Sequence, residues 1–136
     1  MFQTKDVMTK DVICVHIDTS IFEAIEIMAN NGVSGVPVVD EDMTLVGILS
    51  EHDVLRLLHT HKQERDRTVG EFMTQSVVYF KENDSLLDIC NSLRDSSIRR
   101  IPVTSGGKVT GIISRADILR CILQLSQEPC HAGSEK

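Results

Sequence analysis

Two short segments carry side chains that could work together on a ligand. Ser50-Glu51-His52-Asp53 and Ser114-Arg115-Ala116-Asp117 each set a hydroxyl and a carboxylate three residues apart. On a helix that spacing places both groups on one side, a turn apart. A serine at a helix start can donate its hydroxyl to a phosphate, where free backbone N–H groups also attract an anion. A carboxylate one turn later can accept from the 2′- and 3′-hydroxyls of a ribose. Ser-x-x-Asp is also a plain capping box, and the two roles can coexist.

The elements that must position these groups occur twice. Val7-Met8-Thr9 returns as Phe72-Met73-Thr74, and Val36-Pro37-Val38 as Ile101-Pro102-Val103, both 65 residues on. Gly47-Ile48-Leu49-Ser50 returns as Gly111-Ile112-Ile113-Ser114, 64 residues on, so one residue is lost between Asp40–Thr44 and Ser105–Lys108. Each copy opens with a β-branched run, Val12 to Val15 or Val77 to Phe80. A capping signal follows at Asp18-Thr19-Ser20 or Asn83-Asp84-Ser85. The stripes Ile21, Ala24, Ile25, Met28 and Leu86, Ile89, Cys90, Leu93 have i, i+3, i+4, i+7 spacing, one face of a helix. Asn31-Gly32 predicts a left-handed stop for the first of these helices, and Ser96-Ser97 a weaker one for the second. A hairpin comes next, Val36–Val39 with Leu45–Leu49 and Ile101–Thr104 with Val109–Ile113, its proline implying an edge or a strand start. A second helix closes each copy, from Asp53 to about Leu58 and from Ala116 to about Leu125. The order is β-α-β-β-α. Half of a 136-residue chain would bury too little to be stable alone, so a mixed α/β (α+β) fold is expected, two repeats packed sheet to sheet with approximate twofold symmetry and a cleft on each side.

The Met-Thr opening, the apolar-Pro-Val-apolar strand and the Gly-apolar-apolar-Ser-x-x-Asp segment, in order and duplicated, resemble the CBS domain family, here as the tandem pair called a Bateman module, of the stand-alone prokaryotic type. The resemblance implies domains at residues 1–61 and 69–125, a linker at 62–68 and a flexible tail at 126–136. It implies a regulatory module that binds an adenine nucleotide (AMP, ADP or ATP) between the repeats and signals to a partner protein in trans. It also implies a homodimer. S-adenosylmethionine, a ligand-free interaction module and nucleic acid are the alternatives.

The copies differ where phosphates would lie. Arg99-Arg100 and Arg115 belong to the second copy, while the first has Ser34-Gly35 and Glu51 at the matching positions. Arginine suits bidentate phosphate binding and glutamate repels it. The stronger site is therefore expected on Ser114 and Asp117, with Ile112, Arg100 and Arg115. By resemblance, the other copy completes it with Thr9, Val12, Ile13, Cys14, Val33, Ser34 and Gly35. The weaker site would use Ile48, Ser50, Asp53, Thr74, Val77, Ile98 and Arg99. Adjacent strand residues point to opposite faces, so only one of Arg99 and Arg100 is expected as a direct ligand, and Arg100 by its family position.

Other features point away from chemistry. The net charge of −6 argues against nucleic acid. His59 and His61 lie in a charged stretch without a nearby cysteine, and no metal site is expected. His52, beside Glu51, is expected at the surface, with a place facing the weaker cleft as the alternative. Cys14, Cys90, Cys121 and Cys130 form no C-x-x-C pair and read as reduced thiols of a cytoplasmic protein. No segment is apolar enough to span a membrane, and the N-terminus has no secretory pattern. With no nucleophile–base pair and no phosphate-binding glycine loop, no enzymatic activity and no catalytic cofactor are expected.

Overall fold

The computed structural model describes residues 3–59, 66–95 and 98–127. His61, Ser96, Ser97, Cys130 and most of the expected linker and tail lie outside them. The first repeat contains α1 (Thr4–Val7), β1 (Val15–His16), α2 (Ile21–Asn31), β2 (Gly35–Val39), β3 (Leu45–Ser50) and α3 (Glu51–Val54), continued by a 3-10 turn over Leu55–His59. The second contains α4 (Val69–Phe72), β4 (Phe80–Lys81), α5 (Leu86–Leu93), β5 (Arg100–Ser105), β6 (Lys108–Ser114) and α6 (Arg115–Ser126). Each repeat forms one three-stranded sheet, in the orders β1-β2-β3 and β4-β5-β6. In each the first pair is parallel and the second antiparallel.

The opening strands are shorter than the β-branched runs predict. β1 and β4 begin only at Val15 and Phe80, so residues 12–14 and 77–79 leave the ladder. The prolines also need a correction: Pro37 and Pro102 sit inside the middle strands, not on edge strands. They are tolerated because β1 reaches only Val38 and Val39, and β4 only Val103 and Thr104. Beside each proline the middle strand is locally an edge, which needs no N–H on that side.

Gly32 ends α2 at φ 62°, the left-handed stop read from Asn31-Gly32. Ile21, Ala24 and Met28 turn inward against Val36, Val38 and Leu49, while Ile89 and Leu93 meet Ile101, Val103 and Ile113. The hairpin turns explain the lost residue. Gly106 and Gly107 both have positive φ, as a tight two-residue turn requires. The first copy uses a longer loop, in which Asp40 accepts from the N–H groups of Asp42 and Thr44 at 2.9 Å. The two turns meet: Leu45 N–H donates to the Gly107 carbonyl at 3.1 Å, and Val109 N–H to that of Met43 at 3.0 Å.

The repeats exchange their opening turns. Val69 and Phe72 of the second copy are buried in the first core, with Met73 against it. Val7 and Met8 of the first copy pack on the second core. Backbone bonds repeat the swap almost symmetrically. Val69 N–H donates to Thr19 and Gly70 N–H to Ile17, as Thr4 N–H does to Asp84 and Lys5 N–H to Glu82, all at 2.8–3.1 Å. Arg67 and Thr68, read from sequence as linker, belong to this exchange: the Arg67 carbonyl accepts from Ile21 N–H, and Thr68 caps α4. Gly47 and Gly111 make room for the incoming methionines. A Cβ on Gly47 would lie 2.8 Å from both Met73 Sδ and the Thr74 carbonyl oxygen, and one on Gly111 2.8 Å from Met8 Cγ.

Candidate functional site

The exchange brings each Met-Thr opening onto the Gly-apolar-apolar-Ser strand of the opposite repeat. Thr74 and Ile48 trade backbone hydrogen bonds at 2.9 and 2.8 Å, and Thr9 and Ile112 at 2.8 and 2.9 Å. Each threonine hydroxyl then reaches the carboxylate beyond the strand. Thr74 Oγ1 donates to Asp53 Oδ1 at 3.1 Å, and Thr9 Oγ1 to Asp117 Oδ1 at 3.0 Å.

Both Ser-x-x-Asp segments are capping boxes. Ser50 N–H and Oγ donate to Asp53 Oδ2 at 2.9 and 3.0 Å, and Ser114 N–H and Oγ to Asp117 Oδ2 at 2.8 and 3.2 Å. The local geometry is common to both, so the difference between the sites lies in their surroundings.

A cavity of about 500 Å³ opens on the Ser50 side, within the range of small-ligand pockets. Six residues expected for the weaker site line it: Ile48, Ser50, Thr74, Val77, Ile98 and Arg99. Asp53, the seventh, stands behind Ser50 and Thr74 through its hydrogen bonds. Four residues assigned by sequence to the Ser114 side line it too: Ser34, Gly35, Arg100 and Ile112. Gly35 pairs with Ser50 across β2 and β3, which puts Ser34-Gly35 beside Ser50. The walls are aliphatic, with Val36 and Val78 added, and the rim carries Glu51, His52 and Ser76. His52 is thus exposed and at the cavity at once. Val36, Val78 and Ser76 were missed. Ser76 and Val78 could have been found from the Thr-x-x-Val spacing, since the chain leaving Thr74 must pass the cavity before β4.

Arg99 and Arg100 both line the cavity. The expectation that a strand would part them fails because β5 starts at Arg100 and leaves Arg99 outside the ladder. Arg100 Nη1 donates to Ser34 Oγ at 2.7 Å, and the Ser34 carbonyl accepts from Glu51 N–H at 2.8 Å. Charge from the second copy therefore serves the cleft whose serine and carboxylate come from the first. From the sequence Arg99 is expected in this cleft, but Arg100 is not, because it is grouped with Ser114 of its own repeat.

The rest of the expected principal set lies apart from this cavity. Thr9, Ser114 and Asp117 cluster on one another. Ile13 and Val33 pack against the first core. Val12 turns back on the Lys10 carbonyl, and Cys14 is half-buried, its thiol pKa pushed up by burial. Arg115 is a correction: its Nε and Nη2 donate to the carbonyls of Leu93 and Asp95 at 3.1 and 2.8 Å. It caps the C-terminal end of α5, where free carbonyls attract a cation, and does not stand over Ser114.

A CBS domain model matches residues 5–60 and again 69–124. A solved structure of CBSX2, a chloroplastic CBS domain-containing protein of Arabidopsis thaliana, in complex with AMP superposes with a TM-score of 0.82 at 30% identity, covering 93% of this chain and 100% of that one. The CBS domain pair of protein MJ0100, in complex with 5′-methylthioadenosine and S-adenosyl-L-methionine, superposes at 0.76 with 28% identity, covering 92% and 98%. Hypoxic response protein 1 of Mycobacterium tuberculosis is 29% identical over 88% of this chain and 85% of its own. Its structure, with two coordinated zinc ions, has a TM-score of 0.77. Among the described residues here, no group of three or more His, Cys, Asp or Glu could hold a metal, so zinc finds no ligand set among them. The chain spans 42% and 34% of the length of matched proteins from Methanocaldococcus jannaschii and Thermofilum pendens. The two family matches, the exchanged repeats and the paired Ser-x-x-Asp boxes agree, and the chain belongs to the CBS domain family as a tandem pair.

Proposed function

We propose that the chain is a non-catalytic sensor that binds an adenine nucleotide in the Ser50-side cavity and reports its occupancy to a partner protein. The cavity itself carries this reading: both repeats build it, its walls are aliphatic, and two arginines line it. Adenine would lie between Ile48, Val77, Ile98 and Ile112. The backbone of residues 77–79, free of the ladder, would read the base edge. Asp53 would take a ribose hydroxyl, and Arg99 and Arg100 the phosphate. The AMP-bound CBSX2 structure supports this ligand class.

S-adenosylmethionine, held by MJ0100, is the second reading. Its sulfonium is cationic where a phosphate is anionic, and the paired arginines favour the anion. Bound nucleotide bridges both repeats, so it stabilises the pair by mass action. It signals only if it binds two arrangements with different affinity. Leu119, Ile122 and Leu123 on α6 and Leu55 and Leu58 in the 3-10 turn are exposed, and would form the face of a homodimer or of an effector contact. No described helix is long and apolar enough to cross a membrane. A cytoplasmic setting is part of the proposal, as is weak or absent binding to nucleic acid.

The test is calorimetric titration with AMP, ATP and S-adenosylmethionine. Saturable AMP or ATP binding, weakened at least tenfold by Arg99→Ala, is the expected result. Binding of S-adenosylmethionine alone would replace the ligand. Binding of none of the three by folded protein would leave an interaction module without a nucleotide.

A further inference from the structure

Asp53 and Asp117 hold equivalent places in the two repeats, but their oxygens are not equally occupied. A carboxylate offers about four lone-pair positions. On Asp117 all four are taken: Ser114 N–H and Oγ on Oδ2, Thr9 Oγ1 and Arg120 Nη2 on Oδ1. Asp117 is also 5% exposed and ion-paired to Arg120. On Asp53 three are taken, two by Ser50 and one by Thr74.

The difference traces to one arginine in each repeat. Arg56 is the counterpart of Arg120, both three residues after the aspartate. Arg56 turns away from the Asp53 carboxylate. Its Nη2 donates to the Phe72 carbonyl at 3.1 Å, its Nε to the Asp53 carbonyl at 3.3 Å, and its guanidinium lies 5.0 Å over the Phe72 ring. The residue that takes the place of Phe72 on the other side is Val7, which has no ring to hold Arg120. The backbone differs as well. After Val54 the chain tightens into a 3-10 turn, while α6 runs on as α-helix through Arg120.

We infer that this module takes one nucleotide per chain, on the Ser50 side, and that Arg120 closes the Ser114 side by standing on Asp117 where a ribose would bind. The inference rests on the nucleotide reading above and sharpens it. A ribose hydroxyl arriving at Asp117 must displace a charged donor, whereas at Asp53 one acceptor position is open.

Calorimetric titration of the full chain with AMP tests it, with thermal melts to confirm folding. The expected stoichiometry is one for wild type and two for Arg120→Ala, with Arg120→Lys between wild type and Arg120→Ala in second-site affinity. Asp117→Asn is expected to leave wild-type affinity within twofold, and Asp53→Asn to lower it at least tenfold. Two equal sites in wild type, a stoichiometry still at one in folded Arg120→Ala, or a tenfold loss on Asp117→Asn would each overturn the inference while leaving the nucleotide reading in place. No AMP binding by any folded variant would overturn the nucleotide reading, and this inference with it.

Discussion

Gly47→Ala probes the exchange of opening turns where a backbone carbonyl stands in the way. The new methyl would stand 2.8 Å from Met73 Sδ and 2.8 Å from the Thr74 carbonyl oxygen. The sulfur can swing away, because methionine has several rotatable bonds. The carbonyl cannot, because Thr74 is tied to Ile48 by two backbone hydrogen bonds of 2.8 and 2.9 Å. Relief must come from sliding the Thr74 segment outward, which stretches both bonds. Overpacking of this kind costs about 1–3 kcal/mol, and a weakened hydrogen bond about 1 kcal/mol. The expected loss is about 2–3 kcal/mol, a fall of roughly 6–10 °C in melting temperature for a domain of this size. Gly111→Ala is the internal control. There the three atoms nearest the new methyl all belong to the flexible Met8 side chain, Sδ the closest, so its cost should be about 1 kcal/mol. Urea melts of both variants, alone and combined with Met73→Ala or Met8→Ala, make the assay. Met8→Ala should remove most of the cost of Gly111→Ala. Met73→Ala should leave most of the cost of Gly47→Ala. If Met73→Ala abolishes it, or if Gly47→Ala costs less than about 0.5 kcal/mol, the argument from the fixed carbonyl is wrong.

Met43 holds φ 66° where the second repeat has a glycine, so Met43→Gly should stabilise the chain by about 0.5–1 kcal/mol in a urea melt. Arg115→Ala removes the cap on the Leu93 and Asp95 carbonyls and should cost about 1 kcal/mol, with AMP affinity unchanged by calorimetry. Burial pushes the Cys14 thiol pKa up, and burial together with Cys121 raises that of Cys90. A raised pKa leaves less thiolate at a given pH, so both should be alkylated at pH 8 more slowly than a free thiol, as peptide mapping of iodoacetamide products would show. Leu123→Glu places a charge on the exposed face of α6 and should shift the sedimentation coefficient toward monomer if that face pairs two chains.

The repeat offsets, the helical stripes and the Gly-apolar-apolar-Ser-x-x-Asp segments made the fold legible, because each is a local pattern with a local physical cause. Ser50 and Asp53 are read from their motif, and Thr74, Val77 and Ile98 join them by resemblance; Ser50, Thr74, Val77 and Ile98 line one cavity, with Asp53 hydrogen-bonded behind. What escaped is which of the two clefts several residues face. Ser34, Gly35 and Arg100 were grouped with Ser114, and the structure lines the Ser50-side cavity with them. Arg115 was read as a phosphate ligand, and it caps α5. The contrast between Arg56 and Arg120 depends on a phenylalanine or a valine some distance away in sequence, which no spacing rule connects to it. The opening turns show the limit best: Met-Thr was recognised twice, but not that each belongs to the other repeat's core.

That exchange sets how the molecule comes apart. If the first repeat loosened, it would release Val69 and Phe72, and with them the segment leading into β4. If the second loosened, it would free Val7 and Met8 and drag on the chain entering β1. Neither half can melt while leaving its neighbour's interior complete. A chain with two copies of one motif should therefore unfold in a single cooperative transition, its calorimetric enthalpy matching the van't Hoff value. Strain introduced at one cleft would then be felt as instability at the other.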